Sequence, residues 1–275
     1  MQLILSRKGF DSSAGGVPSP IFPDGRIISL PIPDKRTDLK YNNIEVNGHN
    51  LGRIVDHLTN GKVRPDSSLH LDPDLNSDHL PRSHEWLPLF GQTGAAQGHL
   101  RNQSVIAGDL FVFFGLFQEV EIRNDRWGFH KNTKPKHLIW GWLQIGEIVK
   151  VDNIKGQLDW ASYHPHFNRA EDDNNTLYIS TRDGAGIFEE YSECRQLTAP
   201  EAPSPTHWEL PAWFFPYESR PVLTYHGKMD RWQRKEENVL LKSASRGQEF
   251  ILQTEHYPEA KSWLSGIGLT LPGSK

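Results

Sequence analysis

The N-terminal run SRKGFDSSAGG concentrates side chains that can hold a phosphate or accept a proton. It contains two cations, one carboxylate and three hydroxyls and ends in a pair of glycines, namely Ser6, Arg7, Lys8, Asp11, Ser12, Ser13, Gly15 and Gly16. Arginine and lysine neutralise phosphate oxygens, glycines let backbone amides approach, and a carboxylate can take a proton. This run is therefore the predicted nucleotide or phosphate site, with Asp11 as the catalytic candidate. The alternative is an exposed loop held by Asx and Ser turns.

A second polar run, GQTGAAQGHLR, comes shortly before the most apolar part of the chain. Amide side chains carry a donor beside an acceptor, which matches base edges, and flanking glycines allow a base to approach. We therefore predict that Gln92 and Thr93 bind the nucleotide, and that this run faces the N-terminal run across one cleft. The alternative is a polar turn before a strand.

The sequence YHPHF places His164 and His166 on either side of a proline. In an extended dipeptide the two rings would share a face, but a metal also needs a third ligand at a suitable spacing. The HLD at His70 to Asp72 is remote in sequence and shows no metal pattern, so no metal site is predicted. His164 is predicted to act in acid–base catalysis, against the alternative of a ring packed on Phe167.

Several other chemistries lack support in the sequence. Cys194 is the single cysteine, has no histidine beside it in sequence, and there is no GxSxG motif for acyl transfer. Neither GxxxxGK[ST] nor GxGxxG occurs, which disfavours the corresponding nucleotide folds. Residues 123–136 mix cations with aromatic rings, which suits either a flipped nucleotide or a solvated hairpin tip.

Composition sets the broad class. The chain has 275 residues, 36% of them hydrophobic, and a formal charge of −4, so it lacks the positive field of a nonspecific DNA binder. With one cysteine no internal disulfide can form, and the apolar run before Arg7 is too short for a signal peptide or a membrane span. We expect a cytoplasmic protein without a membrane partner.

The elements that must position these side chains are mainly strands. Leu110 to Glu121 and Leu138 to Val151 are rich in aromatic and β-branched residues and should be neighbours in one antiparallel or mixed sheet. Further strands are predicted at 2–5, 175–180, 184–191, 221–227 and 248–253, and residues 66–100 as a loop layer. Helical spacing predicts peripheral helices at 51–58 and near 258–267.

The predicted fold is thus α+β and predominantly β, with a sheet that could close into a small barrel. At this length one domain is expected, with a loop-rich layer over residues 1–104 and the sheet and C-terminal helix over 105–275.

The runs SRKGFDSSAGGVPSPIFPDG and GQTGAAQGHL, with the strands GDLFVFFGLF and IWGWLQIGEIV, resemble the third type of nucleotide-modification-associated domain over most of the chain. This resemblance implies a role in systems that alter bases in DNA, of a bacterial or phage-like kind, but no reaction. The strand series also looks like barrel modules of the pseudouridine-synthase-and-archaeosine type.

Our leading hypothesis is an enzyme that modifies a nucleotide or nucleic-acid base, or assists in doing so. The alternatives are a noncatalytic reader of modified bases and a structural subunit of a modification or defence complex. The partners would be a nucleotide or DNA base and other proteins of such a system. The cofactor is unknown from the sequence.

Overall fold

The computed structural model describes residues 1–154, 156–217, 220–245 and 247–271. Strands predominate, which confirms the predicted α+β, predominantly β class. The strands are β1 (Gln2–Arg7), β2 (Ser19–Ile21), β3 (Glu45–Val46), β4 (His49–Asn50), β5 (Leu89–Gln92), β6 (Leu110–Arg123), β7 (Arg126–Phe129), β8 (Lys136–Lys150), β9 (Thr176–Ile187), β10 (His207–Pro211), β11 (Trp232–Arg234), β12 (Asn238–Lys242) and β13 (Glu249–Gln253). The helices are α1 (Leu51–Leu58), α2 (Gly94–Asn102), α3 (Val151–Ile154) and α4 (Glu259–Gly266).

The central sheet is mixed and has the strand order β13-β1-β6-β8-β9-β5. β1 runs parallel to β6, whereas the other neighbours along this path are antiparallel. The predicted pairing of the two most apolar runs is confirmed, because they form β6 and β8. The sheet curls into a half-barrel, so it approaches the predicted barrel without being one.

Both faces of the central strand β6 are buried. Phe111 and Phe113 lie in one apolar cluster, and Val112 and Phe114 lie in another that includes Trp208. This split follows from the alternation of side chains along a strand, and burial on both faces explains the uninterrupted apolar run. A smaller sheet of order β10-β12-β11 and helix α4 cover the second face.

The two predicted helices are confirmed. In α1, Leu51, Ile54 and Leu58 are buried, and Asn50 caps the first turn by accepting a hydrogen bond from the Arg53 N–H. α4 begins after Pro258 and buries its apolar stripe against the second face of the sheet. Within the described residues no helix is long and apolar enough to cross a membrane.

Three local predictions were wrong. The predicted loop layer over residues 66–100 contains strand β5 and most of helix α2, in which Ala95, Ala96 and Leu100 favour a helix. Residues 221–227 form no strand, because the chain turns at Tyr225, whose φ is 66°. His164 caps a 3-10 helix over Pro165–Asn168 and is not part of an extended dipeptide.

Candidate functional site

The loop that contains Asp11 is closed by its own hydrogen bonds. Oδ1 of Asp11 accepts from the backbone N–H and hydroxyl of Ser13 at 2.8 and 2.7 Å and from the N–H of Ala14 at 2.9 Å. Gly15, at φ 79°, lies so close to Phe10 that a Cβ there would meet the ring at 2.3 Å. This is the Asx-type turn of the alternative interpretation, and the catalytic role of Asp11 stays a prediction.

Ser12, Ser13 and Gly16 are the exposed residues of this loop. Gly16 donates its N–H to the backbone oxygen of Asp11 at 2.9 Å, and a Cβ on it would contact no described residue within 4 Å. A phosphate could therefore approach these residues from solvent. Their role in phosphate binding stays a prediction.

The first residues of the predicted site belong to β1 and its exit. Ser6 is fully buried, and within the described residues its hydroxyl has no hydrogen-bond partner. The Arg7 guanidinium donates to the backbone oxygens of Ser245 and Gly247, at 3.2 Å each. Arg7 thus fastens β1 to the segment before β13, which leaves its predicted contact with phosphate untested.

Lys8 and Gln92, from the two predicted runs, meet at a buried carboxylate. Lys8 Nζ lies 2.8 Å and Gln92 Nε2 lies 2.6 Å from Oε1 of Glu249. Lys8 also stands over the ring of Phe90, 4.7 Å from its centre. We call these four residues the Glu249 cluster. It connects β5 and β13, the two end strands of the curled sheet, so the two runs do come together, but around an acid that sequence reasoning had missed.

A second cluster surrounds Asp72. The Nε2 atoms of three histidines face its carboxylate: His70 at 3.4 Å and His166 at 3.5 Å from Oδ2, and His164 at 3.3 Å from Oδ1. All four residues are almost completely buried. The HLD and YHPHF segments, which are remote in sequence, are therefore adjacent in space. We call this group the Asp72 cluster.

Polar neighbours fix the orientation of the cluster. Nδ1 of His70 lies 2.8 Å from Oδ2 of Asp34, and Nδ1 of His166 lies 2.6 Å from Oδ1 of Asn175. Oδ1 of Asp72 accepts the backbone N–H of Gly91 at 2.7 Å. The cluster thus combines the loop after β4 and α1, the 3-10 turn before β9, and β5.

The electrostatics of the cluster favour an ionised Asp72. Burial raises the pKa of Asp72, but the facing rings of His164, His166 and His70 outweigh burial and hold that pKa well below its usual range. Burial lowers the pKa of His164 to about 4, so this ring is neutral at pH 7. Burial also acts to lower the pKa of His70, but its contacts with Asp34 and Asp72 raise that pKa overall.

The end of β5 touches both clusters. Three consecutive residues donate hydrogen bonds to three different carboxylates: Gly91 through its backbone to Asp72, Gln92 through its amide to Glu249, and Thr93 through its hydroxyl to Asp172. Thr93 also caps α2. Of the predicted residues, Lys8, Gln92, Thr93 and His164 therefore lie around one strand end, and the Asp11 loop forms contacts of its own.

Sequence reasoning missed the acids at the centres of both clusters. Nothing in the sequence indicated that Glu249 would be a buried partner of Lys8 and Gln92, since a charged residue at the start of a strand is common. For Asp72 a signal existed, because His70 and Asp72 are two residues apart, as are His164 and His166. Neither pair by itself supplies enough ligands or proton carriers for a site, and only the fold combines them.

A family model described as nucleotide modification associated domain 3 matches residues 2–253, almost the whole chain. The match covers both clusters, the Asp11 loop and every strand. No curated protein and no solved structure matches the chain. The description of the matched family connects the chain with nucleotide modification and specifies no reaction.

Proposed function

The chain belongs to the nucleotide modification associated domain 3 family, and we propose that it is an enzyme that modifies a nucleotide or a nucleic-acid base. The observation that carries this proposal is the end of β5, where Gly91, Gln92 and Thr93 each donate to a different carboxylate. Convergent acids and histidines are what an acid–base centre needs, whereas a reader needs only stacking and edge contacts.

In this proposal the Asp72 cluster is the reactive centre. Its neutral, buried His164 holds a proton on Nε2 beside the ionised Asp72, which gives the centre one proton donor and one proton acceptor. The Gly91 N–H holds this carboxylate in place. Such a pair needs no nucleophile from the protein, which agrees with the lack of a motif around Cys194.

The substrate phosphate would lie at the rim of the cluster. Arg169 follows the 3-10 turn of His164 and interacts electrostatically with Asp34, Asp172 and Asp72. It is only partly buried. A cation at this place suits a phosphate that enters from solvent. The Arg169→Ala variant should bind nucleotides more weakly without a change in thermal stability.

The test is mass spectrometry of nucleosides from cells with and without the protein. An altered nucleoside should appear with the natural chain and be lost with Asp72→Asn. Asp74→Asn is the matched control, because Asp74 is also buried and paired, through Arg82 at 2.7 Å, but does not contact the three histidines. Both variants are first checked for folding by circular dichroism.

If the natural chain alters no nucleoside, the proposal fails. Selective binding to modified DNA would then support the reader, and copurification with a modification enzyme would support the structural subunit. An altered nucleoside that persists with folded Asp72→Asn would instead place the reaction elsewhere, and the Asp11 loop is the next candidate.

A further inference from the structure

Three side chains of the Asp72 cluster present donor atoms toward one point. Nε2 of His70, Nε2 of His166 and a carboxylate oxygen of Asp72 all lie within 4.8 Å of one another. The two nitrogens lie 3.4 and 3.5 Å from Oδ2 of Asp72. These distances exceed the roughly 2.7 to 3.2 Å of a good N–H···O hydrogen bond. Ligands at about 2.0 to 2.2 Å from a metal ion lie roughly 3.0 to 3.5 Å from each other, which is the spacing of the two N···O pairs.

The hydrogen-bond partners of Nδ1 in His70 and His166 place the ring proton on Nδ1. The Nε2 atom of each neutral ring then directs a lone pair toward Asp72. Asp34 accepts only, so the neutral ring of His70 carries its proton on Nδ1. The Asn175 amide donates through Nδ2 to the backbone oxygen of His166, which leaves Oδ1 to accept from Nδ1 of that ring. In the neutral form of each ring Nε2 is therefore an acceptor that faces the Asp72 carboxylate. A bound cation requires this orientation of its ligands.

His164 has the opposite orientation. Its Nδ1 accepts from the backbone N–H of His166, so its proton is on Nε2, toward Oδ1 of Asp72. Oδ1 also accepts the N–H of Gly91. Oδ1 of Asp72 is therefore held by the Gly91 N–H, and Oδ2 faces His70 and His166. In metal sites, a carboxylate that binds the metal through one oxygen is commonly oriented by a hydrogen bond to its other oxygen.

We propose that His70, Asp72 and His166 bind one divalent transition-metal ion of the iron-to-zinc series. Imidazole nitrogens exclude the hard ions magnesium and calcium, which prefer oxygen ligands only. Two histidines and one carboxylate form the facial set that leaves further coordination positions open.

The proposal adds a ligand set to the centre of the proposed function, but it is tested without any nucleotide, so the two can fail separately. The chelator-treated full chain is titrated with Zn²⁺ and Co²⁺ by calorimetry, and with Fe²⁺ without oxygen. We expect one tight site per chain, a Co²⁺ spectrum of a low-symmetry site, and a higher melting temperature with metal.

Variants then assign the ligands. His166→Ala should lose tight binding, and His137→Ala, which removes an equally buried histidine outside the cluster, should retain it. Asp34→Asn is the milder variant, since it keeps all three ligands and changes the outer partner of His70, and we expect 10- to 100-fold lower affinity. It also weakens the ion pair of Asp34 with Arg36, whose side chain is about half exposed, so the fold should stay intact.

Two results would overturn the proposal. One is a natural chain that binds no ion, because protons on the histidines would then balance Asp72. The other is tight binding that survives in both folded His166→Ala and folded Asp34→Asn, which would place the metal on exposed histidines elsewhere.

Discussion

The Asp11 loop and the Asp72 cluster are both rich in polar side chains, but they use them in opposite ways. In the loop, the carboxylate of Asp11 bonds to residues two and three positions onward. In the cluster, Asp72 meets His70 from its own loop and also His164, His166 and Gly91 from two distant parts of the chain. Polar residues close in sequence can satisfy one another in a turn. When polar groups from distant parts of the chain are buried together, local turn formation does not explain their contact. A functional site does.

The largest effect is expected at the centre of the cluster. Asp72→Ala should cost about 3 to 5 kcal/mol of unfolding free energy, because it removes a buried carboxylate and leaves the facing histidines and the Gly91 N–H without their partner. Chemical denaturation measures this cost. Asp38→Ala, an exposed aspartate in the same layer, should change stability little. Equal costs for the two variants would remove the contrast between cluster and surface.

A similar cost is expected in the Glu249 cluster. Lys8→Met leaves Glu249, whose side chain is fully buried, without its cation, so we expect a loss of about 3 kcal/mol. The double variant Lys8→Met with Glu249→Gln should recover part of this loss, because no uncompensated charge remains. If the costs of Lys8→Met and Glu249→Gln simply add in the double variant, the ion pair between Lys8 and Glu249 does not stabilise the fold.

A smaller cost is expected where the cluster touches β5. A Cβ on Gly91 would lie 2.4 Å from the His166 ring, so Gly91→Ala should destabilise the chain by about 1 to 3 kcal/mol and displace that ring. Gly98→Ala is the matched control, since it lies within α2 with no described atom within 4 Å of the new Cβ. It should stabilise α2 by about 0.5 to 1 kcal/mol. Thermal unfolding of both variants would show the opposite signs.

The smallest effects are expected in the Asp11 loop. Asp11→Ala removes the acceptor of the turn and should cost about 1 kcal/mol, and Ser12→Ala should stay within about 0.5 kcal/mol. Calorimetric unfolding and nucleotide titration of both variants separate the two interpretations of the loop. If nucleotide affinity falls sharply while stability is kept, the loop binds phosphate as predicted, and the comparison must be revised.

Local chemistry explains what could be predicted. The strands β6 and β8 follow from apolar runs that only a doubly buried sheet accommodates, and α1 follows from the spacing of Leu51, Ile54 and Leu58 after a capping asparagine. The helix α2 was missed because its glycines and polar side chains are also typical of turns. Of the predicted site residues, Lys8, Gln92 and His164 lie in the two clusters, but the sequence did not predict their partners.

The sequence by itself determined the class of fold, the central strand pair and the family. It also determined the polar runs that contain several residues of the two clusters. Only the tertiary structure decided that His70 and His166 share Asp72, and that Lys8 and Gln92 share Glu249. The reason is physical. Propensity and hydrophobic periodicity act over a few residues, whereas the curl of the sheet brings its end strands together and so fixes which distant side chains meet.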